Sequence, residues 1–142
     1  MTLTMGLLLS ATAIFAFTDP EIKAEVLIAF QKDFSFAKNV KWEVDSPLFK
    51  VNFSVNDQGF VAWYNDAAEL VSTARNLLFT QLPLAVMKSM ESKYEDASIL
   101  SIVEVTKESE TSYLIQVEDA KAKRLLRAYP SGRIDRIKKL KS

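Results

Sequence analysis

Apolar residues recur at four-residue spacing in two stretches of the chain. Ile22, Val26, Phe30 and Phe34 form one stripe, and Leu82, Val86, Met90 and Tyr94 repeat it 60 positions later. Such spacing places all four side chains on one face of a helix. The likeness continues downstream, where Ala37, Val40 and Trp42 align with Ala97, Leu100 and Ile102. At a slightly larger offset Phe49, Val51 and Phe53 align with Tyr113, Ile115 and Val117, and Tyr64 then aligns with Tyr129. The offset grows only across turn-like segments, where insertions cost least. The chain is therefore a tandem repeat, with units over about 18–78 and 79–142.

Each stripe predicts one helix. Thr18 and Glu21 have the spacing of a capping box, with Pro20 placed for a first helical turn, so the first helix is expected to run to about Asp33. Pro83 is expected in the first turn of the second, which runs to about Tyr94. Strands follow at 40–44, 48–55, 60–64 and 70–75, then at 100–106, 113–118, 124–129 and 133–138. Phe49, Val51, Phe53 and Val55 alternate with Lys50, Asn52 and Ser54, the pattern of a half-buried antiparallel strand. The intervening turns, such as Asn56-Asp57-Gln58-Gly59 and Pro130-Ser131-Gly132, are too short for parallel crossovers. The fold class is α+β, each unit being one helix plus a four-stranded antiparallel meander. One helix cannot cover both faces of a sheet, so each unit leaves its second face exposed or turned toward its twin.

The first sixteen residues read differently. Met1 to Ala16 carries no charge, centres on Leu7-Leu8-Leu9 and ends in small residues at Ala11, Ala13 and Ala16. This is the pattern of a secretory signal, here without its basic n-region, and its apolar run is too short for a stable span. The expected mature domain is 17–142, periplasmic or secreted, with no stable membrane span once the signal is removed.

Composition narrows the chemistry. The chain has 142 residues, no cysteine and no histidine, and its 18 basic and 18 acidic residues cancel. Disulfides, thiol nucleophiles and thiolate metal sites are excluded, and so is the commonest general base. Asp45, Asp57, Asp66, Glu69, Asp119 and Asp135 fall mostly in turns, where carboxylates serve the backbone. Asn56 with Asp57, or Asn65 with Asp66, offers too few ligands for calcium. No enzyme, no cofactor and no metal are expected.

The sequence is similar to the PepSY-like family of small exported bacterial proteins, whose fold resembles the beta-lactamase inhibitor protein. The likeness rests on a helix ending in an aromatic, then Ala37-x-x-Val40-x-Trp42, then Phe49-x-Val51-x-Phe53, then a strand ending in Tyr64 before a turn and a short strand, all in tandem. Tyr129-Pro-Ser-Gly132-Arg-Ile134 fits the family's tyrosine–turn–glycine ending, whereas the first copy has alanine where glycine is expected and so predicts a longer or reshaped turn. The resemblance implies a non-catalytic binding or inhibitory role outside the cytoplasm. It transfers no inhibitor contact residue, and the inhibitor's disulfides have no counterpart here.

Candidate contacts follow from the residues themselves. Trp63 and Tyr64 are neighbours on one strand, so one of them faces away from the helix. Trp42 is a further aromatic, aligned with the aliphatic Ile102. Lys121 to Ser142 holds half of the chain's basic residues against one acid, Asp135, and Arg124, Arg127 and Tyr129 lie within it. The expectation is steric docking of an open sheet face on an envelope or secreted protein through Trp63, Tyr64, Trp42, Arg124, Arg127 and Tyr129, with hydrolase inhibition as one form of it. The alternative is a structural or chaperone-like envelope protein that binds anionic surfaces through its basic C-terminal strands. Aromatics are too sparse among those cations for single-stranded nucleic acid, which is not an expected partner.

Overall fold

The computed structural model describes residues 20–141. The expected signal at 1–16, and Thr18 with Asp19, lie outside the described residues. Two ten-residue helices, α1 (Ala24–Asp33) and α2 (Leu84–Lys93), each precede four strands. Those of the first repeat are β1 (Lys38–Asp45), β2 (Leu48–Val55), β3 (Gln58–Tyr64) and β4 (Leu70–Asn76). Those of the second are β5 (Ser98–Lys107), β6 (Glu110–Glu118), β7 (Lys123–Ala128) and β8 (Ile134–Leu140). All eight join in one antiparallel sheet in sequence order.

The two repeats therefore meet edge to edge, not face to face. β4 pairs with β5 from Ser72–Lys107 to Asn76–Val103, and the Leu77 N–H donates to the Ile102 carbonyl at 2.9 Å just beyond.

Helix limits differ from the sequence expectation in a consistent way. α1 begins at Ala24, with Lys23 as its N-cap and no side-chain capping bond, so Pro20 and Glu21 precede the helix. Pro83 is likewise the N-cap of α2 and not a first-turn residue. Ile22 and Leu82 thus sit just before their caps, where an apolar side chain folds back onto the helix it introduces. Leu82 is buried in the second core, and Ile22 packs against the first. The stripes are real, but only their two middle members are helical. Phe34 and Tyr94 are C-caps whose N–H groups donate to Phe30 O at 2.8 Å and Met90 O at 2.9 Å. Glu25 in the first turn and Lys32 in the last complement the α1 dipole.

Each helix builds its own core on the same side of the sheet. Val26 and Phe30 of α1 pack on Phe49, Val51, Phe53, Ala62 and Tyr64. Val86 and Met90 of α2 pack on Ile102, Tyr113, Ile115, Val117, Leu126 and Ala128. Phe30 is the hub of the first core, meeting Trp42 and Phe53 edge-on at ring separations of 5.3 and 5.1 Å, a favoured aromatic geometry. Burying each such aliphatic or aromatic side chain contributes about 1.5–3 kcal/mol.

Strand register also corrects the alignment of the repeats. Phe49 pairs with Tyr64, and its equivalent Tyr113 pairs with Ala128. The counterpart of Tyr64 is therefore Ala128, not Tyr129. Tyr129 corresponds to Asn65: the Asn65 N–H donates to Glu69 O at 3.0 Å, and the Tyr129 N–H donates to Arg133 O at 3.0 Å. The two turns have the same length and shape, contrary to expectation. Ala68, at φ 61°, donates to Asn65 O, just as Gly132, at φ 92°, donates to Tyr129 O. The alanine adopts the left-handed conformation that glycine takes in the second copy.

Candidate docking face

Because side chains alternate along a strand, the pairing register sorts every strand residue onto one of two faces. One face is covered by α1 and α2. The other faces away from both helices across the sheet, and no other element covers it among the described residues.

On this open face Trp63 is paired between Lys50 and Ser72. One register step away, Val61, Ala74 and Val105 stand side by side on β3, β4 and β5. Val103 and Leu114 extend the apolar strip onto β5 and β6, and Arg127 closes it on β7. Ion pairs lie at both ends: Lys50 Nζ is 3.1 Å from Glu43 Oε2, and Lys123 Nζ is 3.4 Å from Glu118 Oε2. An apolar centre with a charged rim is the composition of a protein-docking surface, and half-buried tryptophan is a typical anchor in one.

The six sequence candidates divide among different surroundings. Trp63 and Arg127 share the open face, four strands apart, which is about 19 Å at the usual interstrand spacing. Tyr64 points the other way and is completely buried, its hydroxyl donating to Asp33 Oδ2 at 2.9 Å. Its phenol is pushed up from the ordinary tyrosine value by burial first, then by the hydrogen bond and negative charge of Asp33. A side chain so enclosed presents no surface to a partner.

Trp42 is on the helix side, half-buried against Phe30. It borders a shallow hollow of about 510 Å³ shared with Leu27, Phe34 and Val40.

Arg124 also lies on the helix side, where its guanidinium pairs with Asp119. Asp119 accepts the backbone N–H groups of Lys121 and Ala122 at 2.8 and 2.9 Å. These donors, and then Arg124, hold its carboxyl down at about 2. The arrangement closes the β6–β7 turn and commits Arg124 to it.

Tyr129 lies in the turn after β7 with the Arg133 guanidinium 4.0 Å over its ring. It borders a hollow of about 690 Å³ with Arg127, Lys107 and Glu110.

The sequence candidates thus lie on both faces and in a turn rather than on one surface. Val61, Val103, Val105 and Leu114 were missed. Their signal, apolar residues on both faces of β3, β5 and β6, was present but reads equally well as a core strand. Among the described residues no three acidic side chains gather as a metal site, and no helix is long and apolar enough to cross a membrane.

No protein-family model matches this chain, and no curated protein matches it. Solved structures do. A DUF2874 family protein from Bacteroides uniformis superimposes with a TM-score of 0.77 at 20% identity, covering 84% of this chain and 90% of that one. A BLIP-like protein from Bacteroides fragilis gives 0.76 at 22% identity, over 85% and 88% of the two chains. A protein from Bacteroides eggerthii, provisionally named periplasmic, gives 0.73 at 21% identity, over 83% and 91%. At these identities the likeness establishes a BLIP-like fold: two helices on one eight-stranded antiparallel sheet.

Proposed function

We propose that this chain is an exported, non-catalytic binding protein of the PepSY-like kind that docks on an envelope or secreted protein through the open face of its sheet. The observation that carries this reading is the strip of half-buried Val61, Val105, Val103 and Leu114 beside Trp63, on the face that neither helix covers. Leaving such a strip in water is unfavourable, and a partner that covers it recovers the burial energy. The signal-like N-terminus and the provisional periplasmic name of one structural neighbour support the location. The lack of cysteine and histidine supports a role by occlusion, and steric inhibition of a hydrolase is its sharpest form.

The test compares the parent chain with Trp63→Ala and Val105→Glu as baits in an envelope extract. The proposal requires one protein that the parent enriches and both variants lose, while Ile28→Ala on the exposed surface of α1 retains it. Equal capture by all four baits defeats the docking face. If the captured protein is a hydrolase, inhibition requires its activity to fall stoichiometrically with added chain, whereas a scaffold leaves the rate unchanged.

A further inference from the structure

The two edges of the sheet are electrostatically unlike. β1 and β8 each pair on one side only, so alternate backbone N–H and C=O groups on each point outward without a strand partner. β1 carries Lys38 and Lys41 against Glu43 and Asp45, and is therefore neutral. A register shift between Lys38 and Lys41 also breaks its outer line, with Asn39 at φ 54° and its amide folded onto Ser54 Oγ at 2.9 Å. β8 also has a register shift, which leaves Ile137 unpaired between Arg136 and Lys138, but its charge is one-sided: from Arg133 to Lys141 this edge bears Arg133, Arg136, Lys138, Lys139 and Lys141 against Asp135 alone.

These cations are mostly uncommitted. Arg133 lies 3.8 Å from Asp135, and among the described residues Arg136, Lys138, Lys139 and Lys141 make no ion pair. The register sends them to both sides of the strand. Arg136 and Lys139, paired with Leu126 and Arg124, lie toward the helices, while Lys138, paired with Leu125, lies toward the open face. Such an edge repels another copy of itself, as Lys-rich edges do in general. It offers attraction from both faces, together with a row of backbone donors and acceptors, to an extended chain of opposite charge.

We propose that the outer edge of β8 takes up an acidic, extended segment of a partner protein as a ninth antiparallel or parallel strand. Backbone hydrogen bonds supply register-independent affinity, and carboxylates on alternate residues reach the cations on each side. A lipid or polysaccharide surface would use the charge but not the backbone edge, which is why the edge geometry favours a peptide. This surface is separate from the open face and does not depend on Trp63.

The probe is a fluorescein-labelled octapeptide alternating Glu with Val and Thr, titrated with the chain in a fluorescence anisotropy assay. Controls are the same peptide with prolines in place of two Thr residues, its Lys-for-Glu counterpart, and phosphatidylglycerol vesicles. The acidic peptide is expected to bind, to weaken at least about tenfold when salt rises from about 0.05 to about 0.5 M, and to slow amide hydrogen exchange across 134–140. The Lys138→Glu/Lys139→Glu double variant, checked for folding by circular dichroism, loses binding, as in lesser degree does Arg136→Gln, while Trp63→Ala keeps it. Equal binding of the proline-interrupted peptide, unchanged exchange in β8, or binding to the vesicles without binding to the peptide each overturns the proposal.

Discussion

Arg75 and Glu104 clasp each other across the seam where the two repeats join, with Nε 2.7 Å from Oε1 and Nη2 3.3 Å from Oε2. They are directly paired residues of β4 and β5 on the helix side of the sheet, between the two cores and within neither. Hydrogen bonding to Glu104 pushes the Arg75 guanidinium further up, so the guanidinium stays charged throughout the physiological range. Both side chains keep some solvent contact, 34% and 20% exposed, which limits the worth of the pair through screening. Glu104→Gln is expected to cost about 1 kcal/mol. The check is the urea midpoint of parent and variant at low and high salt: the difference narrows as salt rises, and an unchanged difference contradicts the electrostatic account.

The two β-turns that end the third strand of each repeat predict opposite outcomes for opposite swaps. Ala68 holds φ 61° and Gly132 φ 92° in equivalent positions. Ala68→Gly relieves a left-handed alanine and is expected to stabilise the chain by up to about 1 kcal/mol, a non-glycine residue costing about 1–2 there before the entropy of glycine is deducted. Gly132→Ala is expected to destabilise by more than that, since its Cβ would sit 2.8 Å from the Ala85 carbonyl oxygen and 3.0 Å from Ser89 Oγ. Thermal midpoints of the two variants, moving in opposite directions from the parent, are the readout.

The buried hydroxyl of Tyr64 ties β3 to the end of α1 through Asp33. Tyr64→Phe is expected to cost about 1 kcal/mol near neutral pH. Because the folded phenol is raised above its unfolded value, its contribution is complete below about pH 10 and is lost as pH rises toward the folded value. The gap between parent and variant should therefore hold up to about pH 10 and close progressively only above it, measured as urea midpoints. A constant gap would show that Tyr64 does not titrate with unfolding.

Asp119 sets the acid limb. Its carboxyl is held at about 2 by the Lys121 and Ala122 amides and then by Arg124, below the usual unfolded value near 3.9. A lowered folded pKa gives stability that is present above the unfolded value and lost as pH falls through the folded one. Asp119→Asn should therefore flatten the stability profile between about pH 4 and pH 2. Circular dichroism melts across that window are the check, and a slope equal to the parent's contradicts the assignment.

Much of this fold was legible because its periodicities are local. Period-two alternation in Phe49–Val55 and Tyr113–Val117, and four-residue spacing in the two stripes, gave the elements and their duplication. The edge-to-edge junction was not legible. Nothing in Ser72-Thr73-Ala74-Arg75 states which strand lies beside it, and its mixed polarity reflects a seam that neither helix covers. The alignment of Tyr64 with Tyr129 failed because identity of residue type outweighed register: the turn placed tyrosine where the first copy has Asn65. At the candidate site, alternation showed that Trp63 and Tyr64 must part, but only the pairing of Tyr64 with Phe49, which packs in the α1 core, decided which one faces away from the helices. The commitment of Arg124 to Asp119 depends on the turn geometry at Asp119–Ala122, which composition does not encode.

Photo-cross-linking resolves the orientation of the bound partner most directly. A benzoylphenylalanine at Ser72 or Gln116, both on the open face, and one at Ile28 or Lys88, on the exposed helix surfaces, are irradiated in envelope extract. The account predicts one adduct of the same mass from both sheet positions and none from either helix position. Adducts confined to the helix positions, or equal from all four, would contradict docking through the open face.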